Sequence, residues 1–218
     1  MKSLYFIHGF ATGPSIWQGQ VEAFSKDYRV VLDDEQIKSD DELYIIGWSM
    51  GGWKAIELLF ELKQKVAGLV LVSAFAKYVQ GDDYAFGQPM ALLQKLEKRF
   101  MKDYKAGMHY FYDLIFHDKS QHPLIDLLPP PDETGLKRWF EKLRMEDKRS
   151  FLQKINVPTL IIQGDKDPIV SVESAHYLQK SFPNARLEVL NGVGHAPFLE
   201  QPNVFNEKLH RFIEANGK

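Results

Sequence analysis

Six short apolar runs, each closed by glycine or turn residues, set the strongest limit on how this chain folds. They are Leu4–Ile7, Tyr28–Leu32, Leu43–Ile46, Leu69–Val72, Thr159–Ile162 and Arg186–Leu190. Most of them are continuous in Val, Ile and Leu rather than alternating with polar residues. A strand reads that way when helices cover both of its faces, as in a parallel sheet. Helical patterns at Trp53–Lys63, Val172–Ser181 and Val204–Ala215 supply such helices, so the expected class is α/β, with a mostly parallel sheet between helical layers. From about residue 77 to 154 the rhythm breaks, leaving helical patterns and a Pro129-Pro130-Pro131 interruption. The expected organisation is therefore a core of residues 1–76 and 155–218, with 77–154 inserted as a helical lid over one edge of the sheet.

A chain of 218 residues, 44% hydrophobic, can bury one substantial core. Its net charge of −2 offers no global field to attract nucleic acid or an anionic membrane. The absence of cysteine excludes disulfides, thiolate zinc sites and cysteine nucleophiles, and suits the cytoplasm. No apolar run approaches the roughly 18 residues of a membrane span. The stretch Met1–Ile7 is too short for a signal-peptide core and runs into His8-Gly9 without a cleavage site, so it reads as a strand. A soluble, unprocessed monomer is expected.

Gly47-Trp48-Ser49-Met50-Gly51 matches Gly-x-Ser-x-Gly, a pattern that arises by chance in roughly one chain in fifteen of this length. Its setting makes it informative, because an apolar run precedes it and a helical pattern follows. A strand, a sharp turn and a helix present a serine hydroxyl at the edge of a sheet. A serine needs a base to become a nucleophile. Among the histidines, only His195 sits on a glycine-flanked late loop, in Gly192-Val193-Gly194-His195-Ala196-Pro197-Phe198. The acid is expected between the two in chain order, after Thr159–Ile162, where Asp165 and Asp167 compete. Asp167, before Pro168 and deeper in the turn, is the preferred partner, and Asp165 is expected to accept main-chain hydrogen bonds. Two preorganised N–H donors should stabilise an oxyanion, those of Met50 and of Phe10 in the His8-Gly9-Phe10-Ala11 loop. His8 itself is expected to pack beneath that loop.

With these motifs in this order, the chain is identified as a member of the α/β-hydrolase superfamily. Gly47-Trp48-Ser49-Met50-Gly51-Gly52 and His195-Ala196-Pro197-Phe198 resemble the esterases of biotin synthesis that demethylate pimeloyl-acyl-carrier-protein methyl ester. Leu136–Lys154, with Asp147-Lys148-Arg149, and Arg99-Phe100-Met101 are similar to that family too. The chain begins at what is normally the family's third strand, and little sequence separates Leu32 from Leu43. The resemblance implies a cofactor-independent, metal-free serine carboxylesterase that hydrolyses the methyl ester of a small acyl group through an acyl-enzyme, with a pimeloyl chain presented on acyl-carrier protein as the expected substrate. A broad short-chain carboxylesterase or thioesterase, or a carbon–carbon hydrolase or lyase, stands as the alternative.

Pro89–Lys105 reads as one amphipathic helix, with Leu92, Leu96, Phe100 and Tyr104 facing inward at i+4 spacing. Phe10, Trp48, Phe100 and Tyr104 are the expected substrate contacts. Lys95, Lys98, Lys102 and Lys105, with Arg99 beside them, form a basic stripe that Lys137, Arg138, Lys142 and Arg144 extend. That stripe reads either as a solvated face or as a docking surface for an acidic carrier protein.

Overall fold

A computed structural model of the chain describes residues 1–62, 65–116 and 133–217. Among the described residues six strands, β1 (Lys2–Ile7), β2 (Arg29–Val31), β3 (Glu42–Trp48), β4 (Val66–Val72), β5 (Thr159–Gly164) and β6 (Ala185–Leu190), coincide with the six apolar runs. They form one sheet in the order β2-β1-β3-β4-β5-β6, and every pairing is parallel.

Alternate residues of the central strands β1, β3, β4 and β5 feed two separate cores, which explains why those runs are apolar, whereas the edge strands carry Arg29, Arg186 and Glu188. Leu4 and Phe6 of β1, Tyr44 and Ile46 of β3 and Val70 and Val72 of β4 face one side. There they meet Phe24 of α1 (Gln18–Phe24) and Phe205, Leu209 and Phe212 of α8 (Pro202–Asn216). Tyr5, Leu43, Ile45, Leu69 and Leu71 face the other side, against Ala55, Ile56 and Leu58 of α2 (Gly51–Glu61) and Ala175 and Leu178 of α7 (Val172–Ser181). Each fully buried Leu, Ile, Val or Phe contributes about 1.5–3 kcal/mol of transfer free energy. Lys63, the expected end of the helix after the serine, lies outside the described residues.

Between β4 and β5 the described residues form α3 (Met90–Lys102), α4 (Tyr104–Ile115), α5 (Glu133–Met145) and α6 (Arg149–Leu152). The segment leaves and rejoins the sheet at one place: Lys77 bridges Asp147, and Lys148 N–H donates to Ala76 O at 2.8 Å. Leu152 then joins Ala175 and Leu178 in the core beneath the sheet. The proline run 129–131 lies outside the described residues.

The helix expected over Pro89–Lys105 is two helices. Asp103 is extended, and its carboxylate caps α4 by accepting from Ala106 N–H at 3.0 Å. The inward stripe is also corrected. Leu92 is 51% exposed, whereas Leu93, Leu96 and Phe100 are buried. Spacings of three and four together follow the 3.6-residue period, while repeated steps of four drift around the helix. Tyr104, half-buried, begins α4 rather than ending α3.

Candidate active site

The link between β3 and α2 is as sharp as its glycines allow. Trp48 ends the strand, Gly51 begins the helix, and Ser49 between them has φ 55°. A non-glycine residue in this region stores about 1–3 kcal/mol, which its surroundings must hold. Here Ser49 N–H donates to Val72 O at 2.9 Å, and Ser49 O accepts from Gly52 N–H at 2.9 Å. A Cβ at Gly47 would lie 2.5 Å from Gly51 O, and one at Gly51 would lie 2.5 Å from Ile7 O. Any side chain at either position would force the turn open.

The turn after β5 carries Asp167, the expected acid. Asp167 Oδ1 accepts from Ile169 N–H at 2.8 Å and Val170 N–H at 3.0 Å, and Oδ2 lies 2.7 Å from His195 Nδ1. Both side chains of the Asp167–His195 pair are fully buried. A carboxylate so placed favours the tautomer with its proton on Nδ1, leaving Nε2 as an acceptor. Nε2 is buried and has no partner among the described residues, Ser49 Oγ included. Asp165 instead accepts from Gly192 N–H at 2.6 Å, so it ties its own turn to the histidine loop.

That loop is braced from three directions. His195 N–H donates to Ile115 O at the end of α4 at 2.8 Å, Trp48 Nε1 donates to His195 O at 2.8 Å, and Gly194 N–H donates to Glu200 Oε1 at 2.9 Å. Gly164, at the end of β5, packs directly against Gly194 O, in space that a Cβ would occupy. None of these braces is visible as a motif. Buried polar residues inside apolar stretches, Trp48 and Gln163, were the available signal.

Beside the turn, the loop after β1 passes through Ala11 at φ 52°. The amides of Phe10 and Met50 donate to no protein acceptor among the described residues. His8 Nδ1 donates to Gly9 O at 3.0 Å, and burial pushes the His8 pKa below its usual value, so its ring is neutral at pH 7. A cavity of about 490 Å³ borders this loop, with His8, Phe10, Met50, Trp53, Arg138 and Trp139 in its wall but neither Ser49 nor His195. Ligand sites commonly have this size.

The remaining expected residues divide into two groups. Phe10 and Phe100 are buried together, with ring centroids 5.7 Å apart, and Phe111 and Phe140 pack edge-on against Phe10. Tyr104 lies against Phe100 at 5.9 Å. Trp48, expected at the substrate, is buried with its indole N–H on the His195 carbonyl. Lys95, Lys98, Arg99, Lys102 and Lys105 are all exposed, with Arg99 over the Tyr110 ring. Arg144 is drawn off the basic face into an ion pair with Glu97 at 2.6 Å. Among the described residues no cluster fit to hold a metal ion is found, and no helix is long and apolar enough to cross a membrane.

The family described as serine aminopeptidase, S33 matches residues 8–202. A pimeloyl-[acyl-carrier protein] methyl ester esterase from Nitrosomonas europaea is 27% identical over 93% of this chain and 92% of its own. One from Neisseria meningitidis serogroup B is 28% identical over 99% of this chain and 94% of its own. Among solved structures, an esterase from Exiguobacterium antarcticum superposes with a TM-score of 0.88 at 23% identity, covering 98% of this chain and 92% of that one.

Proposed function

The chain belongs to the serine aminopeptidase S33 family of α/β-hydrolases and is a carboxylic ester hydrolase; from that premise we propose that Ser49, His195 and Asp167 form its catalytic triad. The carrying observation is the buried 2.7 Å bond between His195 Nδ1 and Asp167 Oδ2, with Nε2 left unpartnered. Ser49 Oγ attacks the ester carbonyl and passes its proton to Nε2. Asp167 stabilises the imidazolium that forms. The Phe10 and Met50 amides hold the negative oxygen. Collapse of the tetrahedral intermediate breaks the ester C–O bond, and His195 returns the proton to the leaving alcohol. Water, deprotonated by the same imidazole, then releases the acid from Ser49.

The substrate we propose is the methyl ester of a pimeloyl chain on acyl-carrier protein, as named for the relatives from Nitrosomonas and Neisseria. The described part of residues 77–154 acts as the lid, and its Phe100 and Tyr104, with Phe10 from the loop after β1, form the apolar lining. Lys95, Lys98, Arg99 and Lys102 face the carrier. The test is methanol release from pimeloyl-carrier methyl ester, compared with hydrolysis of p-nitrophenyl acetate and with a Ser49→Ala control. Ser49-dependent turnover that strongly favours the carrier-linked ester supports the reading. Equal efficiency on both would make the protein a broad short-chain esterase instead.

A further inference from the structure

Gln163 is a fully buried amide near the end of β5, following the run Leu160–Ile162. Its Nε2 lies 2.9 Å from Asp167 Oδ2, 2.9 Å from Val170 O and 3.2 Å from Gly164 O. All three neighbours are acceptors, so the amide nitrogen, not the oxygen, must face them. This orientation has a visible cost, because Gln163 Oε1 is buried with no partner among the described residues. A buried acceptor without a partner is unfavourable. What offsets it is the work of the nitrogen.

Asp167 Oδ2 is shared by two donors, His195 Nδ1 and Gln163 Nε2. Two main-chain amides hold Oδ1, and Gln163 holds Oδ2, so the carboxylate cannot turn about its Cβ–Cγ bond without breaking one set. The same amide grips Val170 O and closes the acid's turn on itself. From outside, Gln88 Nε2 clasps that turn through Pro168 O at 3.1 Å and Ile169 O at 2.8 Å. We infer that Gln163 is a positioning residue, whose amide fixes the rotation of the Asp167 carboxylate and through it the orientation of His195. This inference rests on the triad reading above.

The test compares Gln163→Met and Gln163→Glu with the unaltered enzyme. It measures kcat and KM for p-nitrophenyl butyrate across pH, and the downfield proton resonance of the His195–Asp167 hydrogen bond. Gln163→Met keeps the volume and loses the donor. Its kcat falls about 10- to 100-fold, as for a misplaced catalytic group, KM changes little, and the resonance shifts or broadens. In Gln163→Glu the new carboxyl is fully buried and faces three acceptors, a setting that favours its neutral, hydrogen-donating form. Its O–H then replaces the amide donor. Activity near neutral pH exceeds that of Gln163→Met and falls again on the alkaline side, a limb absent from the other two proteins.

A Gln163→Met enzyme with unchanged kcat and an unmoved resonance overturns the inference. So does a Gln163→Glu enzyme without the alkaline limb, which decides the matter alone if the methionine variant does not fold. Ser49→Ala separates the two levels: activity that survives it refutes the triad itself, whereas Ser49-dependent activity indifferent to Gln163 refutes only the positioning role.

Discussion

The indole Nε1 of Trp48 donates to the main-chain oxygen of His195 at 2.8 Å, so the residue before Ser49 holds the loop that carries the histidine. Phe198 packs edge-on against the Trp48 ring at 5.2 Å and stacks on Trp17 at 4.0 Å, which locks the indole from behind. The end of β3 and a loop from a distant part of the chain are thus registered by one hydrogen bond beside the candidate nucleophile. Trp48→Phe removes the donor and part of the buried ring. It should cost about 1–3 kcal/mol through the unsatisfied carbonyl and lower kcat about 10-fold or more by loosening His195. Urea unfolding and steady-state kinetics check both, and an unchanged kcat would detach the brace from function.

Asp165 and Asp167 are two residues apart, yet they bond to different partners, Gly192 N–H and His195 Nδ1. Asp167→Asn should reduce kcat by about 10⁴, the loss expected when an amide imposes the wrong imidazole tautomer. Asp165→Asn should retain kcat within a few-fold. Comparable losses in both variants would sink the assignment of the acid.

The corrected face of α3 predicts a contrast between neighbouring large residues. Phe100, 2% exposed, packs on Phe10 and Phe140, and Phe100→Ala should cost about 3–5 kcal/mol. Leu92, 51% exposed, should tolerate alanine within about 0.5 kcal/mol. Thermal or chemical denaturation of the two variants decides it.

Charge reversal at Lys95, Lys98 and Lys102, all exposed, tests the carrier surface. The triple glutamate variant should lose about 10-fold or more in kcat/KM for a carrier-linked ester, mainly at low salt where screening is weak. Hydrolysis of a free ester should be unaffected. If both substrates respond alike, the stripe is only a solvated face.

Arg149 joins Asp83 and Asp147 where the inserted segment meets the sheet. Hydrogen bonds from Arg149 first, then Lys77, hold Asp83 down to about 2. At Asp147 burial pushes upward, but Arg149 outweighs it and the carboxyl stays below its usual value. Both groups bind a proton less readily when folded. Their stabilisation is therefore fully present above the ordinary value of 3.8 and lost as pH falls toward about 2. Arg149→Met should lower Tm at neutral pH, and the gap from the unaltered protein should close between about pH 4 and 2. A gap independent of pH would show that the clamp acts through packing alone.

The sheet was legible because its central strands have no solvent-facing side: a run such as Leu69–Val72 must be apolar at every position. The turn at Ser49 was legible because glycines at 47 and 51 answer a steric demand within a few residues. The inward face of α3 was misread at Leu92, since a four-residue repeat matches the helical period over only a turn or two. Asp103 as a helix breaker was missed because an aspartate serves as an N-cap only where the chain before it leaves the helical path.

Local chemistry therefore determined the strands, the serine turn and the order of the candidate residues Ser49, Asp167 and His195 along the chain. What it could not determine was how those groups are held. Gln163 at Asp167, Trp48 at the His195 oxygen and the Ile115 carbonyl on the His195 amide join residues 4, 147 and 80 positions apart. The last two arise only when the sheet and the helices over it close on one another. Even the nearest pair, Gln163 and Asp167, meets because the turn after β5 folds back on its own strand. Hydrogen-bond partners are chosen by proximity in space, and a sequence orders residues only along the chain.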